Sequence, residues 1–409
     1  MDTEVQNLFK MALGLESPWY IKDIEFSKTN QQLEIWIDFN RGSTFLCPEC
    51  GRPGCKPHDT EHRQWRHLDF FQHKTILHAR QPRVKCQKHG VKTLVVPWAR
   101  SGSGFTEMME SYIITLVQNG MTARQVGYLI GEHDTRVWRI LEHYVDEARS
   151  RSDFSNVTAI CLDETSRKRG HNYVTVFADA YERKVLFAIE GKGAETISAF
   201  RQEFELRGGK PENVTEACLD MSEAFKSGLK SEFPVAQQTF DNFHIIQLLN
   251  KGVDEVRRQE QKSCPDLKGT RYIWLKNEWN RTEKQSQRFN ELCKKNLETA
   301  EATHLKAVFQ DIFSLNNATT AETLLDEWCE WVSDSNFEPM KKASRTIQSH
   351  KEGILAWFSS KLNNGFMEGI NSLIQAAKAR SRGFKTPRYL KTMIYLIAGK
   401  LDLSIHPLR

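Results

Sequence analysis

Short apolar runs between residues 156 and 241 limit this chain to few folds, because each has the length and β-branched composition of a strand. The first three runs follow one another with only short polar segments between them, and two helical stretches then alternate with two further runs. The order strand, strand, strand, helix, strand, helix, strand is therefore predicted, with another helix from Phe243. The predicted strands are Asn156–Asp163, Tyr173–Ala180, Lys184–Glu190, Asn213–Leu219 and Gln237–Asp241, and the predicted helices between them are 194–206 and Ser222–Glu232.

Three carboxylates stand at the ends of these and later elements. Asp163 closes the first strand and Asp220 follows the fourth, so the two lie side by side if those strands are neighbours. Glu368 lies near the start of a later helix, in which Phe366 and Ile370 recur at helical spacing. Such acids can hold two divalent ions, magnesium or manganese, which activate an attacking hydroxyl and stabilise the leaving oxygen of an in-line displacement. The order of elements and the acids predict an α/β, ribonuclease H-like core for phosphoryl transfer on nucleic acid.

Acids alone do not identify a site in a chain with 52 acidic residues, but eight short blocks add context. The blocks are Cys47–Gly51, Trp65–Asp69, Pro82–Cys86 with His89–Val91, Leu162–Glu164, Leu219–Ser222, Phe240–His244, Trp274–Asn277 and Asn364–Gly369 with Asn371. In this order they make the chain resemble the DDE transposases of bacterial insertion sequences, most closely the family written ISL-three. The resemblance covers most of the chain and implies that Asp163, Asp220 and Glu368 are the catalytic, metal-binding acids. No departure from that triad is present.

Asp241 and His244 follow the fifth predicted strand at a spacing often found in such transposases with a helical insertion. Asp241 can cap the next helix, with His244 on its first turn, or the pair can form a wall of the active site. Both roles stay open at this stage. Asp241 could also compete with Asp220 as a metal ligand, but Asp220 is preferred because Asp241 lies on a different strand from the expected pair.

Two pairs of soft ligands predict a structural zinc ion in the N-terminal part of the chain. Each pair is separated by two residues and flanked by proline or glycine. The 35 residues between the pairs leave room for two short strands, Lys74–His78 and Arg83–Cys86. The predicted ligands are Cys47, Cys50, Cys86 and His89, and the rival ligands are Cys55, His58 and His62.

A helical region from Thr106 to Arg149 has the layout of a helix-turn-helix. One short helix, Met121–Ile130, ends at Gly131, and Asp134 can cap a second helix. Beside a transposase-like core, this layout predicts that the second helix reads the terminal repeats in the major groove. The side chains predicted to face DNA are Thr135, Arg136 and Arg139, and those predicted to pack inward are Val137 and Leu141.

A basic tract follows Glu368, with no acidic residue between Ala376 and Lys391. Such a tract is either a solvated helix face or a contact for DNA phosphates, and its position beside the predicted acids favours phosphates. The predicted DNA contacts are Lys378, Arg380, Arg382 and Lys385, with Arg380 and Arg382 preferred.

Residues from about 245 to 351 interrupt the core with an almost wholly helical pattern, which predicts a large inserted helical domain. Its tryptophans are predicted to pack in the core of that domain, because aromatic residues at helical spacing are more often buried than available for nucleic acid. These tryptophans are Trp274, Trp279, Trp328 and Trp331.

Composition fits several domains and no membrane segment, since 409 residues with 39% hydrophobic content contain no apolar run of membrane length. A secretory leader and a disulfide framework are not predicted, so a bacterial cytoplasmic protein, associated with the nucleoid when bound to DNA, is expected. The predicted domains are an N-terminal strand segment (1–40), a zinc-binding module (41–100), a helix-turn-helix domain (101–152), the first part of the core (153–257), a helical insertion (258–350), and the last part of the core with Glu368 and a basic C-terminal helix (351–409).

The sequence thus predicts a DNA transposase that binds terminal inverted repeats and target DNA, cuts the ends and joins them to the target. Because two ends must be held together, a homodimer or larger assembly is expected on DNA. One alternative is a noncatalytic DNA-binding regulator derived from a transposase, which the intact acids argue against. Another is a ribonuclease H-like nuclease or resolvase, which would cut DNA without joining it.

Overall fold

A computed structural model describes residues 3–168, 172–315 and 317–404. The described residues form two compact units, 3–148 with 402–404, and 149–401. Within these described ranges, no helix is both long and apolar enough to cross a membrane.

The first unit is built on a five-stranded sheet in which the order is β1-β2-β4-β3 and β5 pairs with β4. The N-terminal segment and the zinc-binding module therefore share one sheet. The elements of this unit are α1 (Thr3–Ala12), β1 (Trp19–Ser27), β2 (Gln32–Phe39), β3 (Pro57–Phe70), β4 (His73–Cys86), β5 (Gly90–Thr93), α2 (Glu107–Gln118), α3 (Ala123–Ile130) and α4 (Asp134–Ser150).

Strand β4 corrects the predicted strand pair of the zinc-binding module. Lys74–His78 and Arg83–Cys86 are the two ends of this one strand, and β3 pairs antiparallel with both. Pro82 lies between them and is tolerated because β4 changes its other partner there. That edge of β4 pairs with β2 as far as Ala79 and with β5 from Arg83 onward.

The helix-turn-helix layout is present in α3 and α4. Thr122 and Gln125 form a capping box at the start of α3, and Gly131 ends that helix with a left-handed φ of 68°. Helix α4 begins at Asp134. The predicted inward packing is confirmed, since Val137 and Leu141 are buried.

A buried carboxylate fixes the helices of this unit to one another. Glu110 on α2 is fully buried and accepts hydrogen bonds from Arg100 Nε (2.9 Å), Ser103 Oγ (2.7 Å) and Tyr144 Oη (2.9 Å). Because Tyr144 belongs to α4, this network holds α4 in a set position against α2.

The second unit has a mixed five-stranded sheet in the order β10-β9-β6-β7-β8. Strands β6, β7 and β8 are antiparallel, whereas β9 and β10 extend the sheet in parallel from β6. The predicted order of strands and helices is present. The elements are β6 (Ala159–Lys168), β7 (Asn172–Asp179), β8 (Lys184–Glu190), α5 (Ala194–Leu206), β9 (Glu216–Leu219), α6 (Glu223–Glu232), β10 (Gln237–Phe240), α7 (Asn242–Glu260), α8 (Arg271–Leu275), α9 (Glu283–Cys293), α10 (Glu298–Ile312), α11 (Ala318–Asp334), α12 (Glu338–Ser349), α13 (Lys351–Leu355), α14 (Trp357–Ser360), α15 (Gly365–Arg380) and α16 (Pro387–Ala398).

Two predictions for this unit need correction. Strand β6 does not end at Asp163 but continues to Lys168, because it forms a hairpin with β7 over its whole length. The inserted helices α7–α14 bury Trp274 and Trp328, as predicted. The prediction that Trp279 packs in the core was wrong, since this residue is 80% exposed. For Trp331, which is 42% exposed, the prediction was only partly right.

Candidate active site and zinc site

Three aspartates lie on neighbouring strands of the second sheet, with Asp163 within β6 and Asp220 and Asp241 directly after β9 and β10. The β6–β9 and β9–β10 pairings are parallel, and the residues one or two positions before the aspartates are direct partners. Continuing these registers aligns Asp163, Asp220 and Asp241 across three neighbouring strands. The ladder does continue, since the backbone N–H of Asp241 donates to the carbonyl of Leu219 at 3.0 Å.

Helix α15 brings Glu368 to this row, because one face of the helix is hydrogen-bonded along β6. The contacting side chains are separated by seven, four and three residues, which places them in a single stripe along the helix. Glu368 belongs to the same stripe and lies in the first turn of the helix. Asn364 Nδ2 donates to Leu162 O (3.2 Å), Asn371 Nδ2 to Asp163 Oδ2 (2.8 Å), Gln375 Nε2 to Thr165 Oγ1 (2.8 Å) and Lys378 Nζ to Ser166 O (2.6 Å).

The acids are close enough to change one another's ionisation. Burial raises the pKa of Asp163 to about 6; the charges of Asp220 and Asp241 also raise it, and the Glu164 N–H and His244 oppose them. Burial likewise raises the pKa of Asp241 and that of Glu368, which the charge of Asp241 raises further. Repulsion among the carboxylates thus disfavours full ionisation of the site.

Two oxygens in this acidic cluster lack partners. Asp241 Oδ2 and Glu368 Oε1 are buried and accept no hydrogen bond from any described residue. Carboxylate oxygens that repel one another and receive no hydrogen bond from the protein suit a hard divalent cation such as Mg²⁺ or Mn²⁺. The acids are spaced more widely than the ligands of a single compact metal site. No three of their oxygens, taken one per residue, lie within 4.8 Å of one another.

The first unit holds a second candidate metal site. Its four ligand atoms lie within 4.8 Å of one another, the only described group of three or more that does so. The Cys47 Sγ and His89 Nδ1 atoms are 3.6 Å apart, Cys86 Sγ and His89 Nδ1 3.8 Å, and Cys50 Sγ and Cys86 Sγ 4.0 Å. Tetrahedral zinc with Zn–S bonds of about 2.3 Å requires ligand separations of about 3.8 Å. The predicted set therefore fits structural zinc.

Backbone geometry prepares these ligands for metal binding. Gly51 and Gly90 follow the second ligand of each pair with φ values of 67° and 71°, where a side chain would be strained. Backbone N–H groups of His89 and Lys88 point at Cys86 and lower its pKa to about 6, which favours the thiolate. Of the rival ligands Cys55, His58 and His62, none belongs to the set.

Three family models match the chain in the order of these sites. They are described as zinc-finger of transposase IS204/IS1001/IS1096/IS1165 (residues 43–89), helix-turn-helix domain of transposase family ISL3 (95–145) and transposase, again of the ISL3 family (160–394). The last alone covers more than half of the chain. The chain belongs to the ISL3 family of transposases. Membership in this family implies an enzyme that acts on DNA.

Named ISL3 relatives cover nearly the whole chain. It is similar to the transposase for insertion sequence element IS1557 of Mycobacterium tuberculosis, with 26% identity over 433 residues, 96% of this chain and 95% of the relative. It is also similar to the transposase for insertion sequence element IS1001 of Bordetella parapertussis, with 25% identity over 359 residues, 84% of this chain and 86% of the relative.

In this ISL3 transposase, Asp241 has features of both roles left open by the sequence. It caps α7, since Oδ1 accepts from the Phe243 N–H at 3.4 Å, and it also accepts from the Asn364 N–H at 3.3 Å. The other oxygen, Oδ2, lies 4.0 Å from His244 Nε2. A helix cap and a wall of the acidic cluster are therefore compatible in one residue.

The predicted DNA-facing residues of the transposase differ in availability. Arg139 is exposed on α4, whereas Arg136 donates to Glu132 Oε2 at 2.5 Å and lies 4.1 Å from the centre of the Phe105 ring. The Thr135 hydroxyl is 2.9 Å from His133 Nδ1. At the end of α15 and in the loop after it, the exposed cations are Arg380, Arg382 and Lys385, while Lys378 is half-buried.

Proposed function

We propose that this transposase binds the terminal inverted repeats of an insertion sequence and catalyses metal-dependent DNA cleavage and strand transfer. Its catalytic acids are Asp163, Asp220 and Glu368, set on a ribonuclease H-like core. The observation that carries the proposal is the aspartate row aligned by two parallel strand pairings and joined by Glu368 from a helix hydrogen-bonded to β6.

The same acids would hold magnesium or manganese. Bound there, the ions lower the pKa of the attacking water or hydroxyl and stabilise the charge on the leaving oxygen. The raised carboxyl pKa values and the unpartnered oxygens support this assignment, because a divalent cation relieves both. Asn371 orients Asp163, and Asp241 with His244 lines the same site.

Phosphate contacts come from the basic tract. Lys378 is fixed to β6 by its hydrogen bond to the Ser166 carbonyl. The exposed cations after it would neutralise the backbone of DNA held beside the acids. These cations are Arg380, Arg382 and Lys385.

Recognition of the terminal repeats belongs to the first unit. Arg139 and Thr135 on α4 contact bases or phosphates, whereas Arg136 supports the fold through Glu132 and Phe105. A structural zinc ion would join the two ligand pairs, Cys47 with Cys50 and Cys86 with His89. Because two DNA ends must be held at once, the protein would act as at least a homodimer on DNA. It would do so in the bacterial cytoplasm, associated with the nucleoid.

The test is mobilisation in cells of a marker flanked by the DNA that borders the gene. Wild-type protein is compared with Glu368→Gln, and with Glu330→Gln as a control at an exposed helical glutamate of the same unit. Movement lost only with Glu368→Gln is expected. Equal movement with all three proteins would contradict the assignment of Glu368.

Products distinguish the other activities. Ends that are cut but never joined would favour a nuclease. Binding of the ends without cutting by wild-type protein would favour a regulator.

A further inference from the structure

Two aromatic side chains of the helical insertion point into solvent. Trp279 is 80% exposed and Tyr272 is 63% exposed. They stand on one short segment, formed by α8 and a 3₁₀ turn at Glu278–Asn280. Burial of such large rings by a ligand would be favourable, so a pair of them on one short segment is a candidate binding surface.

The segment that carries these rings is firmly anchored. Trp274, between them in sequence, is fully buried, and its Nε1 donates to Thr270 Oγ1 at 3.0 Å. The buried Lys306 ammonium donates to the carbonyls of Trp274 and Leu275, each at 3.2 Å. Arg281 Nε donates to Ile273 O at 2.9 Å, which ties the ends of the segment together. The backbone beneath the rings is therefore fixed before a ligand binds, which reduces the conformational entropy lost on binding.

The surrounding sequence is strongly basic. Residues 262–295 contain nine lysines and arginines and four acids, a net charge of +5 that equals the net charge of all 409 residues. Of these cations, several are exposed and make no ion pair with a described carboxylate, namely Lys262, Lys268, Lys284 and Lys294. Exposed cations and exposed aromatic rings within one stretch of chain are the combination that binds single-stranded nucleic acid.

We infer that Trp279 and Tyr272 form a stacking platform for unpaired DNA bases, flanked by lysines that contact the strand's phosphates. The inference rests on the proposed function, because separation of the strands near a cleavage site would supply such bases. Bases in an intact duplex do not offer their faces to a side chain, whereas unpaired bases stack on aromatic rings with little sequence preference.

The test measures binding of a labelled oligothymidylate strand, and of a blunt duplex of the same length, by fluorescence anisotropy. Trp279→Ala is expected to weaken binding of the single strand about 5- to 100-fold and binding of the duplex less than about twofold. Trp279→Phe, which keeps a ring, should restore most of the affinity. Leu206→Ala is the matched control, since Leu206 is an apolar residue that is 79% exposed in the same unit.

Unchanged single-strand affinity in Trp279→Ala, or no binding of the strand by wild-type protein, would overturn the inference. So would a change in oligomeric state on sedimentation with no change in DNA affinity, which would assign the ring to a protein contact. Marker mobilisation by wild-type protein separates the two proposals. If wild type moves the marker but Trp279→Ala binds the strand normally, only this inference fails; if binding depends on Trp279 but nothing moves, only the proposed function fails.

Discussion

The Asn371 amide donates a hydrogen bond to Asp163 Oδ2 at 2.8 Å, across 208 positions of sequence. This contact joins α15 to the central strand β6. Because Glu368 lies in the same stripe of α15, the hydrogen bond also sets the position of the glutamate relative to Asp163. The large helical insertion between β10 and α15 can thus be accommodated without displacing the third acid.

Asn371→Ala is expected to reduce strand cleavage about 10- to 100-fold, the range found when a side chain that orients a metal ligand is removed. The variant leaves all three acids in place, so the loss comes from a less well oriented Asp163. Cleavage is measured across a magnesium titration, where a raised magnesium requirement is expected. Ser372→Ala, at the exposed neighbouring position, is the control. Equal cleavage by Asn371→Ala and wild type would remove Asn371 from the site.

Asp163→Asn is expected to stabilise the second unit when magnesium and manganese are absent, while abolishing activity. Burial first, then the neighbouring acids, raise the folded pKa from 3.8 to about 6, so the protonated form contributes stability that is complete below about pH 4. That stability is lost as the pH rises through 6. The variant should therefore be more stable above pH 6, by about 1 to 2 kcal/mol, and less dependent on pH between 4 and 6.

Denaturant unfolding of the second unit between pH 4 and 8 measures this effect. Asp334→Asn, at an exposed position of α11, is the control and should leave the curve unchanged. An Asp163→Asn protein less stable than wild type at pH 7.5 would mean that the carboxylate is not destabilising in the metal-free fold.

Comparison of Asp220→Asn with Asp241→Asn distinguishes the proposed metal ligand, Asp220, from the cap of α7, Asp241. Asparagine caps a helix as well as aspartate does, so Asp241→Asn keeps α7 intact and removes only the charge. Loss of a metal ligand should lower the cleavage rate about a thousandfold for Asp220→Asn. For Asp241→Asn we expect about a tenfold loss that added magnesium restores. Full activity of Asp241→Asn would leave Asp241 a cap alone, and a greater loss than for Asp220→Asn would exchange their roles.

The sequence predicts the strands of the second unit well where the side chains are apolar and β-branched. It misses the second half of β6, Glu164–Lys168, because that stretch is polar and is held as a strand by pairing with its hairpin partner β7. The position of Asp241 was left open by the sequence, which allowed both a helix cap and a wall of the active site. Strand order and register, set by long-range pairing, decide that position.

Exposure was harder to predict than secondary structure. Helical spacing groups Trp274 with Trp279, yet one is buried and the other is 80% exposed, because only the tertiary arrangement decides which side of a short turn has a partner. Arg136 shows the same limit, since its partner Phe105 lies on the chain before α2. The clustering of the four predicted zinc ligands, by contrast, was predictable, because each pair is encoded by two residues three positions apart in one short turn.

Arg139→Ala is expected to weaken binding to the terminal repeats and to lower the slope of log affinity against log salt by about 1 if it contacts a phosphate. Its side chain is exposed, so thermal stability should not change. Arg136→Ala should instead lower thermal stability, because Arg136 is held by Glu132 and Phe105. Anisotropy with repeat DNA at several salt concentrations, together with melting curves, checks both. Unaltered DNA affinity in Arg139→Ala would exclude this residue from the interface.

Cys86→Ser is expected to remove the zinc ion and to destabilise the first unit by several kcal/mol, because zinc binding by such ligand sets is coupled to folding. Metal content after extensive dialysis, measured by plasma mass spectrometry, should be about one zinc per chain for wild type and near zero for the variant.

Cys55→Ser is a stringent control, since Cys55 is also buried in this module but its thiol donates to the Arg52 carbonyl and lies outside the ligand set. Cys55→Ser should keep its zinc, and a chain that loses zinc with Cys55→Ser but retains it with Cys86→Ser would have a different ligand set. Chelation of the wild-type protein should reproduce the Cys86→Ser phenotype and abolish binding to the terminal repeats, while the unfolding transition of the second unit stays in place.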